Sequence, residues 1–388
     1  MFALMDSKLF GKKLGILGGG QLGKMLLAEC NKMGIYTSVL DPSDESPCKN
    51  LASKFYQGDF RDYDSVMDFS KNCDVITFEI EQVNVDALES LEKVGKKVYP
   101  KSKTLRIVQD KNEQKNFFQK NNIPTADFRF FSNKSVLKSY IEQGEIKFPC
   151  IWKKTKFGYD GFGVKILNSI EDIDDLPDTE MIIEDFVPFE KELSVIVSRN
   201  VSGEIKCFET VEMEFNSNSN QVEFVISPAN ISSETNDYAK ELAIKIAKSL
   251  DCIGLLAVEM FLKGDEILVN EVAPRPHNSG HFSIEACKSS QFQQHIRSIF
   301  NLKLGETKHN GTAIMLNLVG DENHFGDVYY ENLDQVFACN SANLHIYGKK
   351  ETRPNRKMGH ITIICDKFED AYAKAKSLKN NIKVKSKK

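Results

Sequence analysis

Residues 256–271 read LAVEMFLKGDEILVNE, two apolar runs on either side of Lys263-Gly264-Asp265, a glycine-containing turn of hairpin length. With Leu262 set against Glu266, a regular ladder puts Glu259 opposite Val269. Strand side chains alternate, so Glu259, Val269 and Glu271 then share one face. Glu259 and Glu271 become diagonal neighbours, roughly 7–8 Å apart at their Cα atoms. Two carboxylates so placed can share Mg²⁺, a hard cation that prefers oxygen ligands and phosphates. Val258, Met260, Leu268 and Val269 predict burial on both faces, where unpaired acids would be costly, so a solvated acidic face is the weaker alternative. The same ladder turns Asn270 away from the acids, and only a twist or bulge would bring it back.

Residues 272–281 follow as VAPRPHNSGH. Arg275 can fork onto a phosphate or carboxylate. His277 and His281 have the spacing of a zinc pair, but Pro276 and Gly280 break any helix and no third ligand offers itself, so they belong to a substrate loop. Upstream, residues 153–165 read KKTKFGYDGFGVK, a glycine-rich tip between strand-like runs at 148–153 and 163–167. Gly158, Gly161 and Gly163 let the backbone approach a ligand closely, and successive free N–H groups there would cradle anions. The alternative is an ordinary mobile hairpin tip. Residues 181–187, MIIEDFV, form an apolar strand running into polar residues, a pattern suited to holding an adenine ring by main-chain groups at a strand edge.

At the start of the chain, a strand at 13–17 runs into Gly18-Gly19-Gly20-Gln21-Leu22-Gly23 and an amphipathic helix over 21–33, then a strand at 36–40. Such units build parallel sheets. Further strands are expected at 52–56, 75–78 and 98–100, and one polar helical stretch over 101–121. Gly18, Gly20, Gly23 and Asp41 also fit a dinucleotide fingerprint, the basis for an NAD-dependent oxidoreductase as a rival function. A P-loop is excluded because Met25 stands where a metal-binding hydroxyl is needed. Glu79 ends a strand of this sheet, where ligands of open α/β sheets bind.

With 388 residues, 41% apolar and 27% charged, the chain suits two or three globular domains. A net charge of −4 argues against nucleic acid, and no apolar run is long enough to span a membrane. Nine scattered cysteines without a C-x-x-C pair point to free thiols in the cytoplasm. Lys349, Lys350, Arg353, Arg356 and Lys357 make a basic loop that could receive an anionic substrate.

Together these stretches resemble the ATP-grasp superfamily, and within it the 5-(carboxyamino)imidazole ribonucleotide synthase family, from Gly15 to about Lys367. NEVAPRPHNSGH at 270–281, GGGQLG at 18–23 and RPNRKMGH at 353–360 carry the likeness, with KKTKFGYDGFG in support. The resemblance implies a mixed α/β and α+β ATP-grasp fold: a Rossmann-like parallel-sheet domain at 1–112, the ATP-grasp domain at 113–305 and a small β-rich domain at 306–388. It implies ATP and Mg²⁺ as cofactors, aminoimidazole ribonucleotide and bicarbonate as substrates, a homodimer, and carboxylation through carboxyphosphate. Another ATP-grasp ligase, such as the formate-dependent glycinamide ribonucleotide transformylase, is the nearer rival.

By resemblance, Lys153, Gly158, Tyr159, Asp160, Gly161, Phe162, Gly163, Val164, Glu184, Asp185, Phe186, Val187, Glu192, Asn270 and Glu271 match ATP-contacting positions. Glu259 and Glu271 match the metal ligands, and Gln21, Leu22, Glu79, Arg275, Lys350, Arg356 and Lys357 the ribonucleotide contacts. Tyr159, Asp160, Arg275, His277 and Lys350 match the positions assigned to the chemistry. Three positions depart from the family pattern: Lys111 replaces an arginine beside ATP, Phe215 a nucleotide-contacting histidine, and Asn355 a glycine whose left-handed turn asparagine tolerates.

Overall fold

The structure, a computed structural model, describes residues 9, 11–156, 158, 163–216 and 219–387. Among them, β1 (Lys13–Leu17), β2 (Tyr36–Asp41), β3 (Lys54–Gln57), β4 (Val75–Phe78) and β5 (Lys97–Val98) form a sheet in the order 3-2-1-4-5, parallel throughout. β4 is buried along its whole length, which is why it reads as an unbroken apolar run. The expected helix at 101–121 is two helices, Ser102–Val108 and Lys111–Lys120. Asp110 breaks it by adopting extended backbone and accepting hydrogen bonds from the Asn112 and Glu113 amides.

β6 (Phe128–Phe131), β7 (Cys150–Lys154), β8 (Val164–Leu167) and β9 (Met181–Asp185) form a second, antiparallel sheet in the order 6-9-7-8. β7 and β8 make the expected glycine-tipped hairpin, Lys153 opposite Val164. Tyr159, Asp160, Gly161 and Phe162 lie outside the described residues. β9 is an interior strand, not the edge expected for adenine binding, because β6 and β7 flank it. Its main chain is therefore paired up to Asp185, whose amide donates to Asp127 O; beyond it Phe189 N donates to Val187 O and Glu190 N to Leu262 O, so the ladder is interrupted only around Phe186 and Val187.

That link leads into a large antiparallel sheet. β10 (Lys191–Arg199), β11 (Ile205–Cys207), β12 (Val211–Phe215), β13 (Val222–Ser227), β14 (Gly254–Lys263) and β15 (Glu266–Ala273) belong to it. Of the later strands β16 (Thr312–Val319), β17 (Gly326–Glu331), β18 (Ala342–Ile346), β19 (Glu351–Thr352), β20 (Lys357–Cys365) and β21 (Lys383–Ser386), the sheet takes β16, β18 and β20. The other three form a small sheet beside it. No described helix is long and apolar enough to cross a membrane.

The β14–β15 hairpin differs from the regular ladder in two ways. Lys263 pairs with Glu266 and Leu262 with Ile267, so the turn is the two residues Gly264 and Asp265, with Gly264 at φ +58°. A β-bulge then lies between the Met260–Val269 and Glu259–Glu271 pairs, and Asn270 is the extra residue. Glu259 and Glu271 are therefore directly opposite, not diagonal, and Val269 faces away from both. The core shows the same displacement: Ile267, Val269 and Val272 all pack with Val258, Met260 and helix Ser233–Ser249, although Val269 and Val272 are three residues apart.

Both valines are nearly fully buried, at 1% and 4% exposure, whereas an unbulged strand would turn one of them outward. Val269→Ala and Val272→Ala should each lower stability by about 2 kcal/mol in urea unfolding. A loss below about 0.5 kcal/mol for either one would contradict the bulge.

Candidate active site

The polar face of the hairpin continues onto β10. Ser194 pairs with Glu259, and Glu192 lies two residues along on the same face. Opposite this face stands the second sheet, and Lys153 of β7 joins the two. Its ammonium donates to Asn270 Oδ1 at 2.8 Å and pairs with Glu184 Oε2 of β9 at 2.9 Å. The bulge returns Asn270 to the acids' face, which the regular ladder denied it.

Glu184 has a second cation, Lys115, at 3.1 Å. Burial alone would raise the Glu184 carboxyl, but the Lys153 and Lys115 charges outweigh it and hold it below the ordinary carboxylate range. Lys115, 1% exposed, also donates to Thr125 Oγ1 at 2.6 Å, and burial pushes its ammonium down to about 8. Lys111, one helical turn earlier, pairs with Glu271 and is likewise pushed down by burial to about 8. Lys115 escaped sequence inspection, although its i,i+4 spacing from Lys111 set both on one helix face.

Glu259 pairs with His277 Nε2 at 3.1 Å. Burial would raise the Glu259 carboxyl, yet the hydrogen bond and charge of His277 lower it overall. Among the described residues Glu192 has no such hydrogen-bonded partner: burial, reinforced by the Glu259 charge, raises it to about 8. His277 Nδ1 lies 2.9 Å from Ser279 Oγ, which lies 2.8 Å from Ser194 Oγ. His281 is not beside His277's carboxylate. It is buried against His360, ring centroids 4.9 Å apart, and among the described residues no group of three or more His, Cys, Asp or Glu could hold a metal.

Arg275 carries the cluster towards the parallel sheet, its Nε 2.9 Å from Glu81 Oε1. Glu81 was also missed, although Glu79 and Glu81 alternate after β4. The buried Glu79 carboxylate accepts from the Gly20 amide at 2.9 Å and the Gly23 amide at 3.1 Å, capping helix Gln21–Lys32. Burial raises its carboxyl against those two hydrogen bonds. Asp41 accepts from Gly19 N at 2.8 Å. A dinucleotide would have to displace both carboxylates from the glycine turn, which removes the ground for a nicotinamide cofactor there.

Gln21 opens that helix, while the Leu22 side chain belongs to the core, leaving its main chain for any ligand. The basic loop closes over the same end. Lys350 pairs with Glu45 at 2.5 Å, Lys24 donates to Ile346 O at 2.7 Å, and Arg356 donates to Glu351 O at 2.6 Å. Asn355 is left-handed at φ +63°, as its turn requires. Val164 and Phe186 are exposed near the second sheet, and Phe215 ends β12 partly exposed beside a bulge.

Residues 11–109 match the ribonucleotide synthetase preATP-grasp domain, 116–292 the ATP-grasp domain and 313–374 the phosphoribosylaminoimidazole carboxylase C-terminal domain. The chain is 38% identical over 361 residues to the N5-carboxyaminoimidazole ribonucleotide synthase of Bacillus subtilis (strain 168), covering 91% of this chain and 92% of that protein. It is 38% identical over 366 residues to the chloroplastic phosphoribosylaminoimidazole carboxylase of Vigna aconitifolia, covering 92% of this chain but only 64% of that longer protein. The N5-carboxyaminoimidazole ribonucleotide synthetase crystal structure from Thermotoga maritima superposes with TM-score 0.89 at 42% identity, covering 97% and 100% of the two chains. The Aspergillus clavatus N5-carboxyaminoimidazole synthase, solved with ADP and 5-aminoimidazole ribonucleotide, gives TM-score 0.86 at 33% identity over 95% and 98%.

The Lys115 ammonium binds its proton less tightly in the folded chain than at its ordinary value of 10.5. Between pH 8 and 10.5 the unfolded state thus holds more protons, and this group's contribution to stability rises with pH. Wild type should gain on Lys115→Met across that window, by up to about 1.4 kcal/mol per pH unit in urea unfolding. A stability difference independent of pH would show that Lys115 is not held against its charge.

Proposed function

The chain belongs to the N5-carboxyaminoimidazole ribonucleotide synthase family of ATP-grasp proteins, and on that premise we propose that it carboxylates 5-aminoimidazole ribonucleotide with bicarbonate at the expense of ATP. It is an ATP-dependent ligase of purine biosynthesis. The observation that carries the assignment is the Glu259–Glu271 pair, with Lys111 on Glu271, His277 on Glu259 and Lys153 on the intervening Asn270, next to the Arg275–Glu81 pair that leads to the glycine turn. The three matched segments support a division into pre-ATP-grasp, ATP-grasp and C-terminal units at 1–112, 113–305 and 306–388.

ATP lies between the two antiparallel sheets in this proposal. The main chain at Phe186 and Val187 takes the adenine, Glu192 the ribose, and Lys153 and Lys111 the phosphates. Glu259 and Glu271 are hard oxygen donors facing one space, a donor set that fits Mg²⁺ keeping several waters and phosphate oxygens. Bound there, the metal would neutralise charge on the phosphates during transfer. Lys111 pairs with Glu271 and His277 with Glu259.

A bicarbonate oxygen attacks the γ-phosphorus as the bond to the ADP oxygen breaks, giving carboxyphosphate. The exocyclic amine of the ribonucleotide then attacks the carboxyl carbon, phosphate departs with its oxygen, and the amine gives up a proton. No protein nucleophile is required, only fixed charge and exclusion of water. Arg275 stabilises the anionic acceptor side, and His277, tethered at both ring nitrogens, is placed to move the proton. Gln21, Glu79, Lys350, Arg356 and Lys357 surround the ribonucleotide. Tyr159 and Asp160 match family positions assigned to the chemistry. Nine free cysteines support a reducing cytoplasm, and the family likeness supports a homodimer.

ADP release should require both bicarbonate and aminoimidazole ribonucleotide, and should not be supported by formate with glycinamide ribonucleotide. The opposite preference would move the chain to the formate-dependent ligases. Glu271→Gln should abolish turnover by weakening the metal, and an unaltered Mg²⁺ dependence would remove Glu271 from the ligand set. Lys350→Ala should chiefly impair use of the ribonucleotide. Unchanged KM and kcat for that substrate would place Lys350 outside the site.

A further inference from the structure

We propose that Gln291 is a positioning residue that fixes His277 and its loop for the carboxylation step, an inference that rests on the placement of His277 described above. Residues 274–281 contain two prolines and lack regular structure apart from one turn at Asn278–Gly280. Such a segment satisfies its own main chain only in part, as where Gly280 N donates to His277 O at 3.0 Å. At His277 the outside partner is the Gln291 side chain, the first residue of helix Gln291–Ile299 and 0% exposed. Its Oε1 accepts from His277 N at 2.9 Å, and its Nε2 donates to His277 O at 2.7 Å. One amide thus pairs with both main-chain groups of the residue whose ring meets Glu259.

The two bonds fix which end of the amide is which, because a peptide N–H can only donate and a carbonyl only accept. The second Nε2 hydrogen then points at His281 Nδ1, 3.0 Å away. That nitrogen must accept, so His281 is neutral with its proton on Nε2. His281 thereby holds the amide in the orientation His277 needs. The contact is tight from the loop side as well: a Cβ on Gly280 would lie 2.7 Å from Gln291 Oε1 and 2.3 Å from Ile196 Cδ1. Position 291 also admits few substitutes. Methionine has the shape but neither hydrogen bond. An ionised glutamate would set an oxygen against His277 O. A protonated glutamate restores the acceptor for His277 N and the donor to His277 O, the two bonds that hold His277, though not the second donor to His281 Nδ1.

Two variants and two readouts test this. Gln291→Met should lower kcat roughly 10- to 100-fold, as expected for a reacting group displaced by about 1 Å, with KM for ATP within about threefold of wild type. Gln291→Glu should be similarly impaired at pH 9 and should recover relative to wild type as pH falls towards 6, whereas the Gln291→Met ratio stays flat. Amide hydrogen exchange, followed by mass spectrometry on both variants, should show faster exchange confined to the 274–281 segment. Wild-type kcat with unchanged exchange would overturn the role of Gln291. Faster exchange with wild-type kcat would uphold the clamp but overturn the catalytic placement of His277. A loss of kcat with no pH rescue in Gln291→Glu and exchange altered across the whole chain would reduce Gln291 to a general packing residue and also overturn the proposal.

Discussion

One extra residue in β15 decides what the large sheet presents to its ligand. Counted outward from the Lys263–Glu266 pair, an unbroken strand would send Glu271 into the core with Met260 and Val269, and Val272 out of it. An ionised carboxylate there would face an apolar cluster at a cost of several kcal/mol. The bulge at Asn270 exchanges the two, burying the valine and setting Glu271 across from Glu259. Like charges directly opposite on paired strands repel. The arrangement persists because each acid has its own partner: the Lys111 ammonium at Glu271 and the His277 Nε2 at Glu259.

The same logic of compensation runs through the facing sheet. Glu184 is almost fully buried and carries two ammonium groups, and the second of them, Lys115, is as buried as the acid. A buried ion pair is weak evidence for stability, since desolvation offsets most of its attraction. Its value here is positional. Lys153 cannot swing toward solvent while Glu184 and Asn270 both hold it, so a cation is fixed between the two sheets before any phosphate arrives. Helix Lys111–Lys120 could not supply Lys111 and Lys115 if it continued from Ser102–Val108 without the break at Asp110.

Much of this was legible in the chain and some was not, for identifiable reasons. The parallel order of the first sheet follows from strand–glycine turn–helix–strand spacing, and the two hairpins follow from alternating apolar residues around glycine turns. That Glu259 and Glu271 lie together is legible from residue type and approximate spacing. Their register is not, because a strict two-residue period leaves out the bulge. The apolar positions Ile267, Val269 and Val272 already break that period, and a bulge is the simplest way to keep all three inside. Glu79 was placed correctly at the strand end, but its hydrogen bonds to the glycine-turn amides depend on the β1–β4 pairing, which brings together residues almost sixty apart. Lys115, Glu81 and Gln291 were missed because each acts by satisfying another group, a property visible only once partners are adjacent.

Those partner-dependent residues make one site out of two halves. Glu259 touches His277; two residues back, Arg275 touches Glu81; two residues back again, Glu79 holds the Gly20 and Gly23 amides. Each step crosses between elements through a charged pair or a charge-assisted hydrogen bond. In the proposed reaction the anionic intermediate would pass from the Glu259–Glu271 pair toward the glycine turn by way of Arg275. A labile mixed anhydride survives only if that transfer outruns water. The rigidity of the loop that spans the gap, with its two prolines and its main chain satisfied by a buried amide, is what the chemistry asks of it.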